Sequence, residues 1–231
     1  LHLEDLAALG VTDPTLQPLE RIIAAVRPTV MVGTTGQPGD FTPAVIRAMA
    51  GACARPIIFP LSNPTCKAEC TPSEALLHSE GRALVATGSP FEPVLFNGQK
   101  HVIGQCNNCF VFPGVGLGVL ISEASRVTDA MFLATAQALA DFTRCQAPGD
   151  GCLYPSLQAL RSVSRQIAFK VAQTARDAGF GRALSDEALK DFIEDFCWWP
   201  DYNAHRSPLP KLLQPKAAAG GLEVPSARSL G

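Results

Sequence analysis

The stretch Pro56-Ile57-Ile58-Phe59-Pro60-Leu61-Ser62-Asn63-Pro64-Thr65 decides how this chain folds. A short apolar run, rich in β-branched and aromatic residues, breaks off into a turn of small polar ones. The run does not alternate between apolar and polar. It therefore reads as a parallel strand covered on both faces. Pro60 has no amide to donate, so it marks a sheet edge or the end of the strand. The same grammar recurs on either side. Upstream, Pro28-Thr29-Val30-Met31-Val32 stops at Gly33, and downstream Ala83-Leu84-Val85-Ala86 stops at Thr87-Gly88.

Helical patterns separate these strands. Residues 16–27 place Leu19, Ile22, Ile23 and Val26 on one stripe, with Pro18 at a tolerated first-turn position. Thr42-Pro43 opens a helix whose apolar face holds Val45, Ile46 and Met49. Thr71-Pro72-Ser73-Glu74 is a capping box, in which the Thr71 hydroxyl and the Glu74 carboxylate satisfy free amides at a helix start. Strand and helix in alternation imply the α/β class and a partial doubly wound parallel sheet. Asn97-Gly98, between 91–96 and 99–103, predicts a hairpin. From Val115 onward the chain reads as mostly helical. Thr128 caps a helix running through Ala140, residues 157–178 form another, and Ser185 starts a third toward Phe196. The expected organisation is a partial sheet domain over 1–125, a helical segment over 126–206 and a mobile tail over 207–231, rich in Pro, Ala, Gly and Ser.

Composition narrows the function. The 231 residues are 47% hydrophobic, enough to bury a core, and the formal charge of −2 carries no basic stripe. Nucleic acid is therefore not the expected partner. No apolar stretch approaches the roughly 20 residues of a bilayer span. Leu1-His2-Leu3-Glu4-Asp5 has no basic flank leading into an apolar block, so it does not read as a signal peptide. It also lacks a starting Met, so the expectation is a chain that begins inside a longer protein. Eight cysteines in a long, core-rich chain without an export pattern point to free thiols and a cytoplasmic setting.

In open α/β sheets the ligand lies outside the carboxyl ends of the strands. Three such ends are Gly33-Thr34-Thr35-Gly36-Gln37-Pro38-Gly39, Ser62-Asn63-Pro64-Thr65 and Thr87-Gly88-Ser89-Pro90. All three combine small residues with hydroxyls or amides. Small residues let a flat ligand approach the backbone, and neutral polar groups orient it without fixed charge. Such loops suit a nicotinamide ribose and a small polar substrate. Singly, each is also what an ordinary tight turn looks like; the case rests on three falling on one rim. Gly33, Gly36 and Gly39 are spaced G-x-x-G-x-x-G, which is not the G-x-G-x-x-G of a dinucleotide fingerprint. The phosphate-binding half is expected upstream of Leu1.

Cys106-Asn107-Asn108-Cys109 is a C-x-x-C, the spacing of a redox pair or half a zinc site. Cys66 and Cys70 are spaced C-x-x-x-C and no histidine lies near either pair, so a coincidental spacing is the better reading. Tyr154 and Tyr202 as acids, or Lys67 and Lys100 as bases, have no partner visible in sequence. Trp198-Trp199 beside Phe196 reads as a packing anchor.

Taken jointly, several segments resemble malic enzymes. Arg55 to Phe59 running into Ser62-Asn63-Pro64-Thr65 and Lys67-Ala68-Glu69-Cys70-Thr71 is similar to that family. So are Ala86-Thr87-Gly88-Ser89-Pro90-Phe91, Gly104-Gln105-Cys106-Asn107-Asn108 with Phe112-Pro113-Gly114, and Gly151-Cys152-Leu153-Tyr154-Pro155. The resemblance spans about Arg27 to Tyr202, in order, and looks closest to bacterial NAD-dependent members. It implies a Rossmann-like sheet whose first half is missing here. It also implies oxidation of L-malate with NAD, or NADP, and decarboxylation to pyruvate and carbon dioxide with Mg²⁺ or Mn²⁺, in an enzyme that is a homo-oligomer. The family's catalytic lysine and tyrosine and its acidic metal ligands belong to preceding segments, so no catalytic or metal residue is carried over.

What the resemblance does carry over is narrower. Asn63, Asn107 and Asn108 are implied to touch substrate. Thr34, Thr35, Gly36, Ser62, Asn63 and Asn108 are implied to line the cofactor. Two other readings stand beside it. One is a non-catalytic nucleotide-binding or regulatory module of the same family. The other is an amino-acid dehydrogenase-like enzyme, which predicts no Asn-Asn motif after the hairpin.

Overall fold

The run ending at Gly33 forms strand β1, Val30–Gly33, and the decisive stretch forms β2, Ile57–Pro60. Strand β3 is Leu84–Thr87. The computed structural model describes residues 7, 10, 18–146 and 151–197. Strands β4, Val94–Phe96, and β5, Gln99–His101, form a separate antiparallel hairpin. Its turn places Asn97 at φ 49° and Gly98 at φ 75°, the left-handed pair that a two-residue hairpin needs. A short β6, Gly104–Gln105, then completes a four-stranded parallel sheet of order β1-β2-β3-β6. Pro60 pairs in register with Gly33 at the carboxyl end of a central strand. It marks the strand's end and not a sheet edge.

Helices α1, Leu19–Val26, α2, Pro43–Ala52, and α3, Pro72–His78, accompany the sheet. The Thr42 hydroxyl accepts from the Val45 amide at 3.3 Å, and the Thr71–Glu74 capping box forms as the sequence predicts. Met31, Ile58 and Val85 point into a core shared with Ile23, Val45, Ile46, Met49 and Ala75.

The opposite face corrects the expectation that both faces are covered. Val30 is 43% and Val32 56% exposed, while Ile57 and Phe59 are half-buried. An unbroken apolar run shows that either side could be buried, not that both are. Partial cover for this face comes from Tyr154, whose ring lies 6.3 Å from that of Phe59.

The helical part begins at Phe112, earlier than expected, with α4, Phe112–Ser122. It continues through α5, Asp129–Gln146, α6, Leu160–Asp177, and α7, Asp186–Phe196. Helices α4 and α6 approach closely. A Cβ on Gly114 would sit 2.7 Å from the Ile167 side chain, so glycine is required there. Phe110, Met131, Leu139, Val163, Ile167 and Val171 form this second core. The Ser185 hydroxyl caps α7 through the Ala188 amide at 3.2 Å. Among the described residues no helix is long and apolar enough to cross a membrane. Trp198, Trp199, Tyr202 and the tail from Ser207 lie outside the described residues.

Candidate functional site at the carboxyl rim of the sheet

Parallel pairing puts all four strand ends on one rim, because parallel strands finish on the same side. Thr34-Thr35-Gly36 follows β1, Ser62-Asn63 follows β2, Gly88-Ser89 follows β3, and Cys106-Asn107-Asn108 follows β6. The three loops expected from sequence are thus joined by a fourth, the asparagine pair that only the resemblance pointed to.

Beneath the first two loops lies Glu69, wholly buried. One carboxylate oxygen accepts from the Thr35 amide at 2.8 Å and the Thr35 hydroxyl at 3.3 Å. It also accepts from the Ser62 hydroxyl, and the other oxygen accepts from the Ser62 amide at 3.4 Å. The Ser62 oxygen in turn accepts from the Gly36 amide at 2.8 Å. Burial alone would raise the pKa of this carboxyl. The bonds from Ser62, from its own backbone amide and from Thr35 outweigh that and hold it below its usual range. Gly33 makes room for it, since a Cβ there would lie 2.6 Å from the Glu69 carboxyl carbon.

Asn63 is exposed and precedes a cis peptide to Pro64. Its side-chain carbonyl accepts from the Ser89 hydroxyl, which links the β2 and β3 ends. Gly88 sits against them: a Cβ there would be 2.1 Å from the Leu61 carbonyl oxygen and 3.0 Å from Asn63 Oδ1. On β6, Gln105 donates to the Gly88 carbonyl at 3.1 Å. Asn107 is also exposed, and its Oδ1 accepts from the Cys109 amide at 2.9 Å, capping a short 3₁₀ turn over Asn108–Phe110. Both asparagines therefore spend their carbonyl ends within the chain. Each keeps its NH₂ group to donate to an acceptor such as a carboxylate or carboxamide oxygen.

Asn107 and Asn108 border a cavity of about 380 Å³ with Cys106, Val111, Phe132, Leu153 and Tyr154 among its walls. Asn63, Ser62, Thr34, Thr35 and Gly36 lie on the same rim but do not line that cavity. Tyr154 has a partner that sequence could not show: the Cys106 thiol donates to its hydroxyl at 3.0 Å. Its ring stacks on Phe110 at 6.3 Å, and burial pushes its phenol pKa well up. Lys67 and Lys100, weighed as bases, are exposed and away from this cavity. Glu69 is the rim residue that sequence reasoning did not single out. Its signal was an acid set between the small residues Ala68 and Cys70, just ahead of a helix cap.

Parallel strands whose carboxyl ends carry small and amide residues define an α/β domain of the dinucleotide-binding type. The family described as malic enzyme, NAD binding domain, matches residues 5–176. The chain belongs to that family. It is 49% identical over 185 residues to the NAD-dependent malic enzyme of Shewanella sp. (strain MR-4), covering 80% of this chain and 33% of that protein. The corresponding enzyme of Edwardsiella ictaluri is 48% identical over the same shares. The crystal structure of Entamoeba histolytica malic enzyme matches with a TM-score of 0.62 and 27% identity, over 79% of this chain and 34% of that one. Malic enzyme from Pyrococcus horikoshii Ot3 matches with a TM-score of 0.59 and 29% identity, over 74% and 35%. The chain thus spans about a third of the length of these relatives.

Proposed function

We propose that this chain supplies the nicotinamide-facing and substrate-facing rim of an NAD-dependent malic enzyme, which converts L-malate to pyruvate and carbon dioxide. The observation that carries the reading is the state of the two asparagines. Asn63 is oriented by Ser89 and Asn107 by its own turn, so each offers a donor at the carboxyl rim. Malate presents carboxylates and the nicotinamide a carboxamide, and both need such donors. When bound, the nicotinamide supplies the hydride acceptor for malate oxidation. Asn63 donates to the substrate carboxylate, while Asn107 and Asn108 hold the far side of the site. Thr34, Thr35 and Gly36 shape the loop beside the cofactor ribose, where Gly36 adopts φ 70° and adds no side chain.

The divalent ion implied by the family does not fit the residues described here. No three His, Cys, Asp or Glu side chains converge among them. The 231-residue chain by itself is expected to form no NADH from malate. Measurable Mn²⁺-dependent turnover by the purified chain would overturn that expectation.

The test of the site is kinetic. In the Shewanella enzyme carrying this chain in place of its matching third, malate oxidation is expected to persist. Asn63→Ala and Asn107→Ala should each lower kcat/KM for malate by roughly ten- to a hundredfold, the loss of one hydrogen bond to a charged group. Asn63→Asp should lower it further, because it sets a like charge beside a carboxylate. Cys109→Ser should matter less than Asn107→Ala. Wild-type kcat/KM in Asn63→Asp would contradict the assignment.

A further inference from the structure

We propose that Glu69 is the positioning residue of this rim: its buried carboxylate ties the loop after β1 to the loop after β2 and so sets the geometry in which Thr35, Gly36 and Asn63 meet a ligand. The proposal builds on the functional reading above, since it concerns the same rim.

Four donors from other residues converge on this one group, namely the amides and hydroxyls of Thr35 and Ser62. Thr35 lies 34 residues from Glu69 and Ser62 lies 7 away, so the carboxylate extends the link between these segments beyond the paired strands, where the Leu61 amide still donates to the Gly33 carbonyl at 2.9 Å. Through the Ser62 hydroxyl its reach extends to the Gly36 amide. A wholly buried carboxylate is unfavourable unless its lone pairs are met. Among the described residues hydrogen bonds meet them, and no ion pair does. Because every neighbour donates, only a group that accepts at both oxygens satisfies the arrangement. Glutamine has the same shape, yet its NH₂ would confront either the Ser62 amide or the Thr35 donors.

This group therefore does more than fill space. It fixes where the Thr35-Gly36 backbone runs, and through Ser62 it fixes the residue before Asn63. The neighbouring backbone leaves it little freedom, since Gly33 has no side chain and Phe41 packs against the same spot. A ligand lying across the β1 and β2 ends would find both loops already set, which reduces the ordering cost of binding.

The experiment uses the full chain as wild type, Glu69→Gln and Glu69→Ala. Amide hydrogen exchange is measured residue by residue, and NADH is titrated by its fluorescence into the Shewanella enzyme carrying each version of the chain. In Glu69→Gln the amides of Thr35, Gly36 and Ser62 should exchange about tenfold faster or more, with a larger change in Glu69→Ala. The amides of Met49 and Val85 should keep their wild-type protection, and NADH affinity should fall in the same order, wild type, Gln, Ala. The isosteric Gln variant carries the test if the Ala variant does not fold. Protection lost evenly across Met49, Val85 and the loops would overturn the proposal in favour of a general stabilising role. Unchanged protection at Thr35, Gly36 and Ser62 would overturn it outright. Loops loosened in the variants, while the Shewanella enzyme carrying the wild-type chain binds no NADH, would uphold the tie by Glu69 and sink the cofactor reading instead.

Discussion

At the β1–β2 flank of the rim the loops close on a buried carboxylate, whereas at the β3–β6 flank they close on rings and on turns that single residues make for themselves. Glu69 gathers Thr35 and Ser62 at the first flank. Tyr154, stacked on Phe110 and bonded to Cys106, backs the second, and Asn107 caps its own turn. The first flank depends on a charge and answers to proton concentration. The second depends on volume and answers to ring size. Ser89 on Asn63 and Gly88 on Leu61 join the two, so the joint should be the most sensitive point of all.

Substitutions at the joint should cost the most, and those that remove a single hydrogen bond the least. Gly88→Ala forces a methyl to 2.1 Å from the Leu61 carbonyl oxygen, backbone against side chain with no flexible end to yield. It should destabilise the chain by about 3 kcal/mol or more, read as a fall in the urea midpoint. An unchanged midpoint would mean the two flanks are not rigidly joined there. Tyr154→Ala removes a half-buried ring and should cost about 2–3 kcal/mol, below the range for fully buried aromatics. Tyr154→Phe keeps the stacking and loses only the bond to Cys106, so its cost should stay near or below about 1 kcal/mol. If Phe proved as costly as Ala, the hydroxyl rather than the ring would be holding the second flank.

The first flank should show its charge in acid. The folded pKa of Glu69 lies below its ordinary value, so its contribution to stability is fully present above that value. It is lost as pH falls through the folded pKa. Glu69→Gln has no such proton to take up, so its stability deficit against wild type should shrink as pH falls through and below the ordinary carboxylate range. Tyr154→Phe should show no comparable shrinkage. Melting curves of the three proteins across that range check the difference, and parallel curves would remove the charge from the account.

How much of this was legible in the sequence follows from distance along the chain. The Asn97-Gly98 hairpin, the Thr71–Glu74 box and the strand stops at Gly33 and Gly88 are local chemistry, and each lies where the residues put it. The helix start at Phe112 was less visible, because glycine has poor helix propensity and the need for it at position 114 comes only from the close approach of α6. The half-open face at Val30 and Val32 was hidden for another reason: apolar composition records what could be covered. Glu69 reaches across 34 residues to Thr35, and Tyr154 across 48 to Cys106, so neither had a partner that spacing could reveal. Asn63 stood out as a strand-end amide. Asn107 and Asn108 follow a two-residue strand too short to announce itself, and only the family resemblance drew them out.

In the reading proposed above, the carboxyl rim of the parallel sheet receives the nicotinamide. Backbone amide shifts of the full chain, followed by NMR as NADH is added, test it most directly. The shifts should gather at Thr35, Gly36, Asn63, Gly88, Asn107 and Asn108. Shifts gathered instead around Arg55, Arg82 and His101, which line a separate cavity of about 260 Å³ with Ala83 and Leu84 at the start of β3, would contradict it.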